Sequence, residues 1–289
     1  MFRIACGPFT IEWSVADPVM AEALLAHGDH HQTGLSADLR IAVETSLPVN
    51  KREARRLLPV SMTDGDSAGV IDVQLGNVAH ARWSVADSQM RCTCIANANP
   101  LAAAALLESL CSQLVAAWLP SRGGTLLHAC GIITNGTTDL FVGPSGAGKS
   151  TVARSVSPDR VVHDDILLLV RRRGVLQISQ VPWRYNGWMR RVGTHWPVGR
   201  VFLLARDGWC SGVERMPAIG ALSALCQDSH FWFTPQSRIY QQQLGLLSLL
   251  VTQHPCYRLR YRLHHDDLWQ DIADMPSTIC GRIPVPLVR

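Results

Sequence analysis

Apolar and polar residues alternate in several short runs of this chain. Phe9 to Val15 (FTIEWSV) and Asp38 to Glu44 (DLRIAVE) each put apolar side chains on one face at a two-residue period, as half-buried strands do. Gly69 to Leu75 and Ala79 to Val85 read the same way. Met20 to Leu25 predicts a helix ending near Gly28, and Met62 to Gly69 (MTDGDSAG) reads as a turn-rich loop. Residues 1–95 therefore form a strand-rich α+β region.

The pattern then lengthens. Leu101 to Leu119 is a long apolar segment behind Pro100, and its Glu108 and Gln113 mark a buried domain helix rather than a membrane span. Leu126 to Thr134 has strand character, Asn135-Gly136 is a tight-turn signal, and Thr138 to Val142 returns as a second strand. Beyond Val142 the reading is a short helix from Ser150 to Val156, stopped by Ser157-Pro158, and a strand from Arg160 to His163. Ile166 to Arg171 and Val175 to Val181 make a second hairpin around Arg172-Arg173-Gly174. Val201 to Ala205 is a core strand, Ala218 to Gln227 and Gln236 to Gln253 are helices, and Tyr257 to Leu263 is a closing strand. A Pro-rich tail runs from Met275 to Arg289. Residues 96–289 thus form a second, α/β domain.

Composition changes this picture little. The chain of 289 residues is 47% hydrophobic, enough for a substantial core, and its formal charge of +4 does not argue for nucleic acid or a membrane surface. Nine cysteines, and a start without a basic stretch followed by an apolar one, fit reduced thiols in the cytoplasm. Cys92-x-Cys94 has one intervening residue, not the two of a zinc or redox pair, so both read as packing residues. Lys51 to Arg56 reads as a solvated basic face. His27, His30 and His31 with Asp29, and His264-His265-Asp266-Asp267, lack a second ligand motif and read as polar loops.

One stretch does carry chemistry. Leu140 to Thr151, LFVGPSGAGKST, fits the phosphate-binding (Walker A) pattern G-x-x-x-x-G-K-[ST] at Gly143, Gly148, Lys149 and Ser150. Gly146 and Gly148 allow the tight backbone that turns successive N–H groups toward a phosphate chain, within a cradle of Gly143, Pro144, Ser145, Gly146, Ala147, Gly148, Lys149, Ser150 and Thr151. Lys149 is placed to reach the β- and γ-phosphates of ATP, and the Ser150 hydroxyl to hold Mg²⁺. Phosphoryl transfer also needs a second metal-side ligand and a group that takes the proton of the attacking hydroxyl. The adjacent carboxylates Asp164 and Asp165, at a strand end just past the loop, can supply both.

The run LHACGII (Leu127 to Ile133), the hairpin, GPSGAGKST and the Asp164-Asp165 pair resemble the HPr kinase/phosphorylase family, most specifically from Leu126 to Arg184. The Pro182-Trp183 step, Gly199 to Leu204 (GRVFLL) and the early Gly7 to Thr10 (GPFT) are similar to HPr kinase-related proteins of peptide-modification clusters, including lasso-peptide kinases. The resemblance implies a mixed-sheet, phosphoenolpyruvate carboxykinase-like core with a smaller strand-rich N-terminal domain. It implies an active-site role for His128, Asp164 as general base, Asp165 as metal-side partner with Ser150, and Arg184 as a phosphate or substrate contact. Trp183 to Val192 (WRYNGWMRRV) lacks the family's Glu-x-Arg-Gly segment, so neither HPr as acceptor nor the reverse reaction follows from the likeness.

The expectation is an ATP- and Mg²⁺-dependent kinase acting on a serine of a peptide or small protein, such as a lasso precursor near its C-terminus. It involves neither nucleic acid nor membrane, and homo-oligomerisation is left open. The rival readings are a sugar or nucleoside kinase and a non-catalytic ATP-sensing module.

Overall fold

The computed structural model describes residues 2–16, 18, 21–22, 36–46, 60–64, 70–75, 79–84, 89–95, 112–181, 195–205, 212–228, 238–260, 269 and 272. The Lys51–Arg56 cluster, both His/Asp clusters, Pro182-Trp183-Arg184 and the tail from Met275 lie outside the described residues, as does most of the Met20–Leu25 helix.

Seven strands make the first sheet: β1 (Phe2–Cys6), β2 (Phe9–Val15), β3 (Leu39–Ser46), β4 (Val60–Asp64), β5 (Val70–Leu75), β6 (Ala79–Ser84) and β7 (Gln89–Ile95), in the order β1-β2-β3-β7-β6-β5-β4. The β2–β3 and β3–β7 pairs are parallel and the rest antiparallel. The two-residue period sorts its faces. Trp13, Ile41 and Met90 are neighbours across three strands and are buried. The adjacent row places Glu12 between Arg3 and Arg40, whose Nε groups donate to its carboxylate over 2.7 and 3.2 Å. Those contacts, the Arg3 hydrogen bond foremost, hold Glu12 below its ordinary pKa. Met62 to Asp64, expected in a loop, belong to edge strand β4, because the alternation of Val60-Ser61-Met62-Thr63 continues its pairing with β5.

The second sheet has eight strands: β8 (Gly124–Thr134), β9 (Thr137–Val142), β10 (Val161–His163), β11 (Ile166–Arg172), β12 (Val175–Gln180), β13 (Trp196–Ala205), β14 (Gly212–Arg215) and β15 (Cys256–Arg260). Its helices are α1 (Lys149–Arg154), α2 (Ala218–Asp228) and α3 (Arg238–Gln253). Residues 112–118 are helical and end the expected Leu101–Leu119 segment. Both predicted hairpins are present. Asn135 (φ 50°) and Gly136 (φ 78°) are both left-handed, as a two-residue turn that matches strand twist requires, and Arg173 (φ 50°) with Gly174 (φ 82°) repeats this between β11 and β12.

Two long strands each serve two neighbourhoods. The first half of β8 pairs with β11, while its second half pairs with β9 on one edge and β10 on the other. Strand β13 meets β12 at Trp196 and Pro197, then runs parallel to β9 and β15. Following β8, β11, β12, β13, β9 and back to β8 traces a closed circuit of paired strands. Strand β9, antiparallel to β8, is therefore also parallel to β13.

Around β9 the architecture is three-layered. Leu140 and Val142 point into a core shared with Ala221 and Leu225 of α2 and Leu247 and Leu250 of α3. Phe141 points the other way, into a core with Val152 and Ala153 of α1. There it stacks on Phe202 at 5.1 Å, and Phe202 stacks on Tyr257 at 5.5 Å. The two sheets touch at the β1–β2 turn. Gly7 has φ +57°, and a Cβ there would lie 2.5 Å from Leu168 Cδ2 and 3.1 Å from Ser179 Cβ. Next to it, the Phe9 ring meets Trp118 edge-on at 5.1 Å. Among the described residues no helix is long and apolar enough to cross a membrane.

Candidate functional site

Strand β9 ends at Val142, and the chain turns through Gly143 to Gly148 into α1. Each glycine here has its own reason. A Cβ on Gly143 would lie 2.9 Å from Ala147 Cβ and 3.2 Å from Leu204 Cβ, so the turn closes only without one. Gly146 (φ 80°) has open space around it and is needed for its left-handed backbone; Gly148 (φ 107°) caps α1 in the same region. The Ala147 N–H donates to the Pro144 carbonyl over 2.9 Å, which fixes the curl. Pro144, Ser145, Gly146, Ser150 and Thr151 are exposed at the rim, while Ala147, Gly148 and Lys149 form a buried floor. Lys149 Nζ donates to the carbonyls of Gly143 (2.6 Å) and Pro144 (3.3 Å), so the ammonium lies beneath the loop rather than out in solvent.

Strand β8 brings the remaining groups to this loop. Ala129 pairs with Val142 on one edge, just before the loop begins. On the opposite edge Gly131 pairs with His163 and His128 with Ile166. The loop entry and the Asp164-Asp165 turn therefore flank the same few residues of β8. His128 Nε2 lies 3.1 Å from Asp165 Oδ1, with the Asp165 side chain about a third exposed at 35%. Asp164 is buried.

His163 organises that turn. It is fully buried, and its Nδ1 accepts the backbone N–H groups of Asp165 and Ile166, each over 3.1 Å. A ring nitrogen that accepts carries no proton, so this imidazole has its proton on Nε2. Cys130 lies between the two halves of the site. Its thiol pKa is driven up first by burial and then by the Asp164 carboxylate, while Lys149 acts in the opposite direction. One buried thiol thus lies within electrostatic reach of both the loop lysine and the first aspartate.

Of the residues singled out in the sequence, Gly143 to Thr151, His128, Asp164 and Asp165 come together here; Arg184 lies outside the described residues. The sequence reading missed His163 and the Asp139–Arg200 pair. Asp139, on the strand that enters the loop, is buried with Arg200. It receives Arg200 Nε (3.1 Å), a terminal guanidinium nitrogen (2.6 Å) and the Arg200 backbone N–H (3.0 Å). A carboxylate inside an apolar strand was a visible signal, but nothing in the pattern names a partner so far along the chain.

Among the described residues no three His, Cys, Asp or Glu side chains gather as a ready-made metal cage. The oxygen donors present, Ser150, Asp164 and Asp165, fit a different case. Mg²⁺ takes one or two carboxylates and completes its shell with phosphate oxygens and water. The site therefore brings a glycine-curled loop over a buried lysine beside a turn that carries two carboxylates.

No family model matches this chain, and no curated protein matches it. Among solved structures it is similar to the Hpr(Ser) kinase/phosphatase from Coxiella burnetii, at 13% identity and a TM-score of 0.29, over 51% of this chain and 92% of that one. Superposition at that level carries no argument, and the functional reading rests on the site itself.

Proposed function

We propose that this chain is an ATP- and Mg²⁺-dependent phosphotransferase that moves the γ-phosphoryl group onto a hydroxyl. The observation that carries the reading is the glycine-shaped loop over buried Lys149, set beside the Asp164-Asp165 turn on a shared strand. The loop amides and Lys149 bind the phosphates. Ser150 and Asp165 would hold Mg²⁺, with His128 orienting the Asp165 carboxylate as a hydrogen-bonding neighbour of a metal ligand does. A Mg²⁺ held there would supply positive charge against that developing on the transferred phosphoryl group. Asp164 takes the proton of the attacking hydroxyl as its oxygen bonds to the γ-phosphorus and ADP leaves.

The sequence resemblance supports a serine of a peptide or small protein as the acceptor, including a lasso-type precursor near its C-terminus, in the cytoplasm where ATP is available. The test is incubation with ATP, Mg²⁺ and candidate peptides, followed by intact mass. A phosphorylated peptide gains about 80 Da. Lys149→Ala and Asp164→Asn should each lower turnover by roughly a hundredfold or more without unfolding the chain. Full turnover in Asp164→Asn would remove it as the base. Phosphate appearing on a sugar or nucleoside would shift the reading to a small-molecule kinase, and ATP binding without any transfer to a sensing module.

A further inference from the structure

One aromatic residue far along the chain touches the strand before the loop, the cap of the helix after it and the arginine that leads into β10. The Trp269 Nε1–H donates to Ser155 Oγ over 3.0 Å, and Ser155 is the C-terminal cap of α1, the helix that begins at Lys149. The same hydroxyl donates to the Val152 carbonyl over 2.7 Å, so the indole is tied to the last turn of that helix. The Trp269 ring meets Phe141 of β9 edge-on at 5.9 Å, one residue before the end of the strand that enters the loop. Its face lies 5.8 Å from the guanidinium carbon of Arg160, which leads into β10 and the Asp164 turn. Arg160 is held in turn, its Nε donating to the Ile133 carbonyl of β8 over 3.1 Å.

A second anchor lies three residues on. Ile272 is buried in the same core as Phe141, Val152 and Ala153, and its carbonyl accepts a hydrogen bond from Arg200, the partner of Asp139 on β9. The strand before the loop, the helix after it and the turn before the aspartates are thus bound to one short stretch of chain.

We infer that Trp269 is a positioning residue for the nucleotide site, holding β9, α1 and the approach to β10 at the separation that phosphate binding needs. The inference rests on the nucleotide-binding reading given above. It makes affinity depend on a residue outside both the loop and the Asp164-Asp165 turn. A hydrogen bond of ordinary net strength corresponds to roughly three- to tenfold in an equilibrium constant.

The experiment is a titration of the full chain with a fluorescent ATP analogue in Mg²⁺, alongside turnover and thermal midpoint. Trp269→Phe keeps a ring and loses the N–H; Ser155→Ala, at an exposed cap, removes the acceptor with little risk to folding. Each should raise the nucleotide Kd by roughly three- to tenfold and leave kcat at saturating ATP unchanged. The double variant should be no weaker than either single one, because both remove the same bond. Unchanged Kd in both single variants, or additive effects in the double, overturns the inference while leaving nucleotide binding intact. A wild-type chain that binds no nucleotide overturns the functional reading and this inference with it.

Discussion

Lys149 is buried, and the carbonyls of Gly143 and Pro144 accept from its ammonium, so the charge is hydrogen-bonded within the loop rather than bare. The position of Lys149 at the end of a tight glycine turn was legible in the sequence because a fixed glycine spacing announces it. The role of His163 was not: a histidine in a short strand gives no sign that it will accept two backbone N–H groups. Other histidines have consequences for stability. His254 donates from Nδ1 to the Gly199 carbonyl over 3.1 Å, and burial lowers its pKa below 6.5, an effect this hydrogen bond partly offsets. His195 shifts the same way, through burial first and then Arg172. A histidine held neutral binds fewer protons folded than unfolded. Its contribution is therefore complete above the unfolded value of 6.5 and is lost as pH falls through the lower folded one. Urea unfolding should show stability dropping as pH falls below 6.5, and dropping less in His254→Asn. Equal drops in the two proteins would remove His254 from that account.

Elements with local signals were read well. Both hairpins announced themselves through Asn135-Gly136 and Arg173-Gly174, where two consecutive left-handed residues are needed. Strand β13 is twice as long as the predicted Val201–Ala205 core strand and takes in Pro197 and Gly199. In the fold Gly199 marks a close approach: a Cβ there would lie 2.7 Å from both Asp139 Oδ1 and Thr137 Oγ1. Strand β14 was missed because GVER is too short to display a period. The Asp139–Arg200 pair joins β9 to β13 at this point, with both side chains buried. Removing one member of such a pair strands the other charge. Asp139→Ala should cost about 3–5 kcal/mol in urea unfolding, and more than Asp139→Asn, which keeps an oxygen acceptor for Arg200. A loss under about 1 kcal/mol would mean that water reaches Arg200 freely.

On the scale of the whole molecule, the strands before residue 96 make one sheet and those after residue 123 make the other. The sequence carried the composition of these sheets but not their meeting, since the contact of Gly7 with Leu168 and Ser179 joins residues that no periodicity relates. The closed circuit of strands was equally invisible, because it depends on β8 and β13 each dividing their edges between two sets of neighbours.

That division of β8 bears on the order in which the molecule assembles. Its three partners, β9, β10 and β11, all lie between Thr137 and Arg172, so pairing them closes only short loops. Strand β13 must instead reach back to β9 and forward to β15, and long closures cost more entropy and come later. In refolding followed by pulsed hydrogen exchange, amides of β8 to β11 should gain protection before those of β13 and β15. Simultaneous protection would instead mean that the circuit closes in one step. With the expected order, His128, the loop entry and the two aspartates come into register before α2 and α3 have docked to cover that core.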